Sequence, residues 1–231
     1  MGDPHLVRAR APAHRYGGTH AVAAVSELPA GGVDVAHVLV PPDLHVGITR
    51  ELLEAGIGVF LEKPVALASA DAASLQELAD ARGLPLGVNH NNLFHPSFTR
   101  LVERLERGDI GRLEHVRVCL SVPLMQLDAG QFSHWMFRAP RNIVFEQAVH
   151  PLCQVHRLVG RVVEAETTIL STRELHPGQP FHDRWSTSAR GERGTVQIYL
   201  AFGQGFTRST FEVLRSDGSL QAGPLHHPPA G

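Results

Sequence analysis

Of the 21 basic residues in the chain, one is a lysine, Lys63, and 20 are arginines. An ammonium can donate to a hydroxyl oxygen and can give up a proton when buried. A guanidinium keeps its proton and cannot act that way. A position that alone escapes the arginine bias is a candidate for hydroxyl binding or proton transfer; the competing reading is an ordinary solvated lysine. Glu146 and His150 stand four residues apart, which on a helix places them on one face. A neutral imidazole within reach of a hydroxyl is a general base, and the carboxylate could orient it or bind a neighbouring hydroxyl. The competing reading is a solvated i,i+4 pair. His134 and Trp135 precede that segment. The indole could lie on the apolar face of a sugar ring, or anchor the loop on a core. The 15 histidines include no pair with cysteine partners at zinc-ligand spacing, so no metal is expected. Cys119 and Cys153 lack the setting of a nucleophile and read as structural.

These residues need elements to hold them. Val33 to Val40 is a short aliphatic run closed by Pro41-Pro42, a buried strand of a parallel sheet. Leu44 to Ala55 has helical apolar spacing and stops at Gly56. Val59 to Leu61 is a strand that ends in Glu62-Lys63-Pro64. Ala68 to Arg82 is a helix with Ser69 or Asp71 as its cap and Gly83 as its stop, and Pro85 to Asn89 is another strand. Alternation of strand and helix at this spacing means right-handed βαβ units on a parallel sheet. Lys63 then stands at the carboxyl end of a parallel strand, where such sheets place ligands.

The pattern changes after Pro96. Phe98 to Leu105 is amphipathic, and the run to Leu124 alternates strictly. Val116, Val118, Leu120, Val122 and Leu124 point one way; His115, Arg117, Cys119 and Ser121 point the other, as in a half-buried antiparallel strand. A helix is expected from Asn142 to Val159, with Val144, Ala148, Leu152, Val155 and Val159 opposite the Glu146–His150 face. Four alternating runs follow, over 162–173, 184–190, 195–202 and 207–215. The fold class is α/β: an incomplete Rossmann-like parallel sheet, then an α+β domain with a large, mostly antiparallel open sheet. The expected domains are 1–94, a partial dinucleotide-binding domain lacking its first βαβ unit, and 95–222, for substrate and oligomerisation. A disordered tail is expected over 223–231.

Composition narrows the functional classes. The 231 residues carry a formal net charge of -2, which gives no footprint for nucleic acid or an anionic membrane. No window resembles a membrane span, and the first residues lack the apolar core of a signal peptide. The expectation is a soluble cytoplasmic protein with reduced thiols. Residues 3–16 read as a helix, and the sequence contains no G-x-G-x-x-G turn of the kind that opens a dinucleotide-binding sheet.

Several segments carry a resemblance. They are Pro41-Pro42-Asp43-Leu44-His45, Leu53-Glu54-Ala55-Gly56, Glu62-Lys63-Pro64, Gly87-Val88-Asn89, His95-Pro96-Ser97-Phe98, Gly108-Asp109-Ile110-Gly111 and Glu146-Gln147-Ala148-Val149-His150. Together they resemble the Gfo/Idh/MocA family, the glucose–fructose oxidoreductase and inositol dehydrogenase type. The resemblance covers most of the chain to Gly160 and is weaker beyond. It implies an N-terminal Rossmann domain, a C-terminal α+β domain with an open sheet, and NAD or NADP used on a CH–OH group of a sugar, cyclitol or related polyol. It implies Lys63 and His150 at the substrate, with Lys63 also near the nicotinamide and Glu146 positioning the substrate. Pro41, Pro42, His45 and Glu62 would flank the cofactor, Asp3 would match the acid that binds the ribose hydroxyls, and copies would associate through the open sheet.

This sequence departs from the family in three places: the glycine fingerprint is absent, Glu146 stands where an aspartate is usual, and Cys153 replaces a second aspartate. The resemblance also implies a longer protein, with a βαβ unit ahead of Met1 and strands beyond the last residue. Two functional readings stand: an oxidoreductase, or a cofactor-less relative that binds a sugar or a partner subunit.

Overall fold

The computed structural model describes Gly2, Arg10, His14, Arg15 and residues 21–28, 32–108 and 111–222. The chain divides into two compact units, Met1–Asn89 and His90–Gly231. Asp3, most of the helix expected over 3–16, and the tail 223–231 lie outside the described residues.

In the first unit, β1 (Val35–Val38), β2 (Gly58–Leu61) and β3 (Leu86–Val88) form a parallel sheet in the order β1-β2-β3. Val35 pairs with Gly58, and Val59 with Leu86. Helix α1 (Pro42–Glu54) crosses from β1 to β2, and α2 (Ser69–Arg82) from β2 to β3. Pro42 suits the first turn of α1, because its missing N–H would have no partner there. Helix α2 stops at Gly83, whose φ of 63° closes a left-handed cap that most side chains disfavour. Its N-cap is Ala68, with no side-chain cap; the expected Ser69 is already the first helical residue. Val38, Leu52, Leu53, Ile57, Val59, Leu61 and Ala79 form the core. The strand expected to be buried, β1, lies at the edge of the three described strands, and its Val35 is 53% exposed.

In the second unit six strands run in the order β5-β6-β7-β4-β8-β9. They are β4 (Leu113–Val122), β5 (Val162–His176), β6 (Gln179–Gly191), β7 (Gly194–Phe202), β8 (Arg208–Arg215) and β9 (Gly218–Ala222). The four sequence-expected C-terminal strands are present, and β9 is an addition. β4 pairs antiparallel with β8, as expected, but parallel with β7, so the sheet is mixed. Helices α3 (Pro96–Glu106) and α5 (Val149–Val159) contribute to one core with the sheet. Phe98 and Leu101 from α3 and Val155, Leu158 and Val159 from α5 join Val116, Val118, Ile198, Leu200, Phe211 and Val213. A short helix, α4 (Met125–Asp128), follows β4.

The expected helix over 142–159 is interrupted. Val144–Ala148 is a π turn that leads directly into α5. The buried face of α5 is Pro151, Gln154, Val155, Leu158 and Val159, while Leu152 is exposed. The stripe expected from uniform helical spacing is therefore rotated: the wider π turn resets the register before α5 begins. Ser121, expected on the open side of β4, is also covered, because its Oγ donates to the Phe206 carbonyl at 3.1 Å.

Candidate functional site

The polar groups of the first unit gather where its strands end. Glu62 and Lys63 follow β2 and are half-buried, and the next bond, Lys63–Pro64, is cis. Asn89, just past β3, donates from Nδ2 to Glu62 Oε1 at 2.7 Å. His37 of β1 places Nε2 3.7 Å from the same oxygen and packs its ring against Phe60, centroids 4.9 Å apart. Three neighbouring parallel strands thus converge on the Glu62 carboxylate. Lys63 has polar company of its own in the fold. Pro41 is exposed at the N-cap of α1, while Pro42 and His45 are buried. The side chain of His45, expected at the cofactor, is turned inward onto main-chain carbonyls.

In the second unit Glu146 lies in the π turn and His150 in the first turn of α5, both half-buried. Cys153, three residues past His150, is half-buried as well. The Cys153 thiol contacts the His150 carbonyl at 3.0 Å, and burial pushes its pKa up to about 11. It is protonated at neutral pH and is no nucleophile. One turn on, Gln154 is fully buried and donates to the Asn92 carbonyl at 3.0 Å, tying α5 to the 3₁₀ turn Asn91–Phe94. His90 opens that turn; burial lowers its pKa, and its Nδ1 has no hydrogen-bond partner among the described residues. His90 is therefore neutral near pH 7.

The loop before the π turn settles which residue anchors it. Met136 and Phe137 are buried, whereas Trp135 is half-buried and His134 exposed. His134 caps the Trp135–Phe137 turn by accepting from the Met136 N–H at 3.4 Å, and Asn142 donates to the Trp135 carbonyl at 3.0 Å. The indole keeps an open side while its neighbours hold the loop.

Asn89, His37 and Gln154 escaped the sequence reading. Asn89 had a signal in its place at a strand end. Gln154 had only its spacing, four residues after His150. An ion pair with a buried carboxylate also escaped: Arg173 donates through Nε and Nη2 to Asp183 Oδ2, at 3.0 and 2.8 Å. An acid alternating with Phe181 and Trp185 on an inward face was its signal. Among the described residues no group of three or more His, Cys, Asp or Glu could hold a metal ion. A cavity of about 780 Å³ lies at the other end of α5, near Arg157, Arg193 and Arg215. Arg193 donates there to the Arg157 carbonyl and Arg215 to the Leu105 carbonyl, so both satisfy helix C-termini.

The rim formed by Glu62, Lys63 and Asn89 offers a carboxylate, an ammonium and an amide, which fit the hydroxyls and carboxamide of a nicotinamide riboside. The described helix starts of this unit fit a pyrophosphate poorly. Pro42 has no N–H to give, and Asp43 and Asp71 add negative charge to the first turns of α1 and α2.

A parallel α/β unit with polar groups at its strand ends, joined to an α+β unit built on one large sheet, is the architecture of a Rossmann-type oxidoreductase. Residues 1–90 match the family model described as an oxidoreductase family with an NAD-binding Rossmann fold. That family is Gfo/Idh/MocA, and the match spans the first unit of the chain. It is 28% identical over 228 residues to a dTDP-3,4-didehydro-2,6-dideoxy-alpha-D-glucose 3-reductase from Streptomyces violaceoruber, covering 97% of this chain and 64% of the relative. It is 29% identical over 238 residues to the myo-inositol dehydrogenase Hyg17 from Streptomyces leeuwenhoekii, covering 97% and 70%. A solved oxidoreductase from Agrobacterium radiobacter, in complex with NAD+, L-tartaric acid and magnesium, matches with a TM-score of 0.83 at 15% identity, over 96% of this chain and 66% of that one. At that identity the likeness concerns the fold. The chain spans about two thirds of the length of these proteins. Among the described residues no helix is long and apolar enough to cross a membrane.

Proposed function

We infer that this chain serves an NAD- or NADP-dependent oxidoreductase acting on a CH–OH group of a sugar, cyclitol or related polyol. The observation that carries the reading is Lys63: the sole lysine stands at the carboxyl end of a parallel strand, beside a carboxylate held by Asn89. The sugar and inositol relatives support the substrate class. A bound nicotinamide supplies the hydride acceptor or donor. Glu62 and Lys63 would hold its riboside end, with Pro41 on the neighbouring loop and Asp3 for the ribose hydroxyls. His150 takes or returns the hydroxyl proton, Lys63 donates to the reacting oxygen, Glu146 binds a neighbouring hydroxyl, and Trp135 and His134 border the ring. The test is nicotinamide reduction or oxidation with a panel of polyols, sugars and nucleotide-linked sugars. Turnover that needs Lys63 and His150 supports the reading, and its absence across the panel sinks it.

The acidic first turns of α1 and α2 favour a second reading, a relative that binds a sugar without the cofactor. Calorimetry separates the two: sugar binding unaffected by NAD or NADP selects the second. We also propose that copies associate through the open sheet, where Val163, Ile169, Leu170 and Tyr199 are exposed. Light scattering that finds a monomer at micromolar concentrations would count against association.

A further inference from the structure

His45 stands in the first turns of α1 and is fully buried, at 0% exposure. Its Nδ1 lies 2.6 Å from the Pro64 carbonyl oxygen, and its Nε2 lies 2.9 Å from the Val40 carbonyl oxygen. Both partners are main-chain carbonyls, which accept hydrogen bonds and have no proton to give. A neutral imidazole carries one N–H. It would satisfy one carbonyl and turn a lone pair toward the other. Both contacts are attractive only when both ring nitrogens carry protons. Their lengths agree, since hydrogen bonds from a charged donor are short.

The two carbonyls belong to different loops. Val40 lies between β1 and α1, and Pro64 comes one residue after Lys63, past the end of β2. One side chain therefore ties together two adjacent loops at the carboxyl edge of the parallel sheet. The charged groups along the joined segments are Asp43, Glu62, Lys63 and Arg50. Glu62 is engaged by Asn89, and Arg50 donates to Ser74 of α2. Among the described residues no carboxylate pairs with His45, so the carbonyl dipoles carry the compensation.

We propose that His45 is an imidazolium staple: protonated on both ring nitrogens, it fixes the Pro64 carbonyl to the β1–α1 loop and thereby positions Lys63. It is a positioning residue that touches neither substrate nor cofactor. Its importance for turnover rests on the reading of Lys63 given above; its geometry and charge do not. A side-chain amide cannot replace it, because its donors share a single nitrogen and cannot reach carbonyls on opposite sides of a ring.

Two measurements on the full chain test this. In histidine-labelled NMR at neutral pH, the His45 ring is assigned through its contacts to Val40 and Pro64. Protons on both of its nitrogens are expected, and one bare nitrogen overturns the proposal. The second measurement uses Lys63 as the sole lysine. An amine-acylating reagent reads that one side chain, with the chain's terminal amine as internal reference. Misplacing a positioned group by about 1 Å is worth up to roughly 10²-fold in rate, so His45→Gln should change the Lys63 acylation ratio by roughly 3- to 10-fold. An unchanged ratio in a folded variant overturns the positioning role. Should His45→Gln fail to fold, the wild-type NMR result still decides the charge. Neither readout needs turnover. A failed assignment of Lys63 to catalysis therefore shows up separately, as unaltered turnover in Lys63 variants while the staple persists.

Discussion

The two units solve the same problem differently. In the first, the strands are three or four residues long, and the candidate polar groups stand just beyond their ends: Glu62 and Lys63 after β2, Asn89 after β3. Parallel strands all end at one edge, so short strands suffice to gather groups far apart in sequence. In the second unit the strands reach 15 residues, and the candidate groups ride on a helix packed against the sheet. There the long sheet supplies a rigid floor, and the π turn sets which way Glu146 and His150 face. Backbone carbonyls and cross-strand hydrogen bonds hold the first set, while side-chain packing holds the second. Perturbations at strand ends should therefore change chemistry more than stability, and perturbations on the long sheet should do the reverse.

The largest effect expected is at Lys63. Lys63→Arg keeps the charge but removes a compact amine that can exchange a proton. Turnover should fall by ~10²–10⁴-fold, while stability shifts by about 0.5 kcal/mol or less. Kinetics and thermal unfolding on the same two preparations check this; near-wild-type turnover would break the comparison at its strongest point. The Arg173–Asp183 pair should show the opposite profile, with an internal asymmetry. Arg173→Ala strands an almost fully buried carboxylate and should cost about 3–5 kcal/mol. Asp183→Asn leaves a guanidinium that water already reaches and should cost about 1–2 kcal/mol. Equal costs in urea unfolding would mean that Asp183 is hydrated.

A glycine from each unit sharpens the contrast further. A Cβ on Gly191 would come within 2.5 Å of Val159 Cγ2 and 2.8 Å of the Val159 carbonyl oxygen, where β6 meets the end of α5. Gly191→Ala should destabilise by about 1–3 kcal/mol. Gly47, inside α1, has nothing within 4 Å of such a Cβ, so Gly47→Ala should stabilise by about 0.4–1 kcal/mol. Denaturant midpoints moving in the same direction would contradict this packing. The smallest effect concerns Cys153. Its thiol holds its proton to about pH 11 in the fold, against an ordinary value of 9.0. The folded state therefore binds more protons than the unfolded state between those values. The stabilisation is fully present below pH 9 and is lost as pH rises toward 11. Partial exposure of the thiol keeps the effect modest. Urea midpoints across this range should fall more steeply for the wild type than for Cys153→Ala.

Much of this molecule was legible from residue order. The three parallel strands, expected over 33–40, 59–61 and 85–89 and found within a few residues of those bounds, the helices between them and the four alternating runs of the second unit follow from periodicity and glycine stops. What was illegible had physical causes. The parallel pairing of β4 with β7 depends on which distant strand docks, and alternation is identical in either direction. The π turn leaves no mark in a pattern read at fixed helical spacing, so Leu152 was assigned to the wrong side. The resemblance placed His45 beside a cofactor; its burial depends on where the Pro64 carbonyl falls, which no local pattern encodes. The Glu62–Asn89 bond joins residues 27 apart and becomes visible only when β2 and β3 lie side by side.

The place of β4 in the sheet bears on how the chain is made. Both of its neighbours, β7 and β8, come from the last part of the described sequence, and the partner of His115 is Thr195, 80 residues later. On a ribosome that adds ~5–20 residues per second, β4 would wait roughly 4–16 s before its first lateral partner is synthesised. Through that interval Val116, Val118 and Leu120 form an apolar strand with both edges open, the condition that invites wrong pairings between nascent chains. The strand at the centre of the finished sheet is therefore the segment most in need of shelter during synthesis.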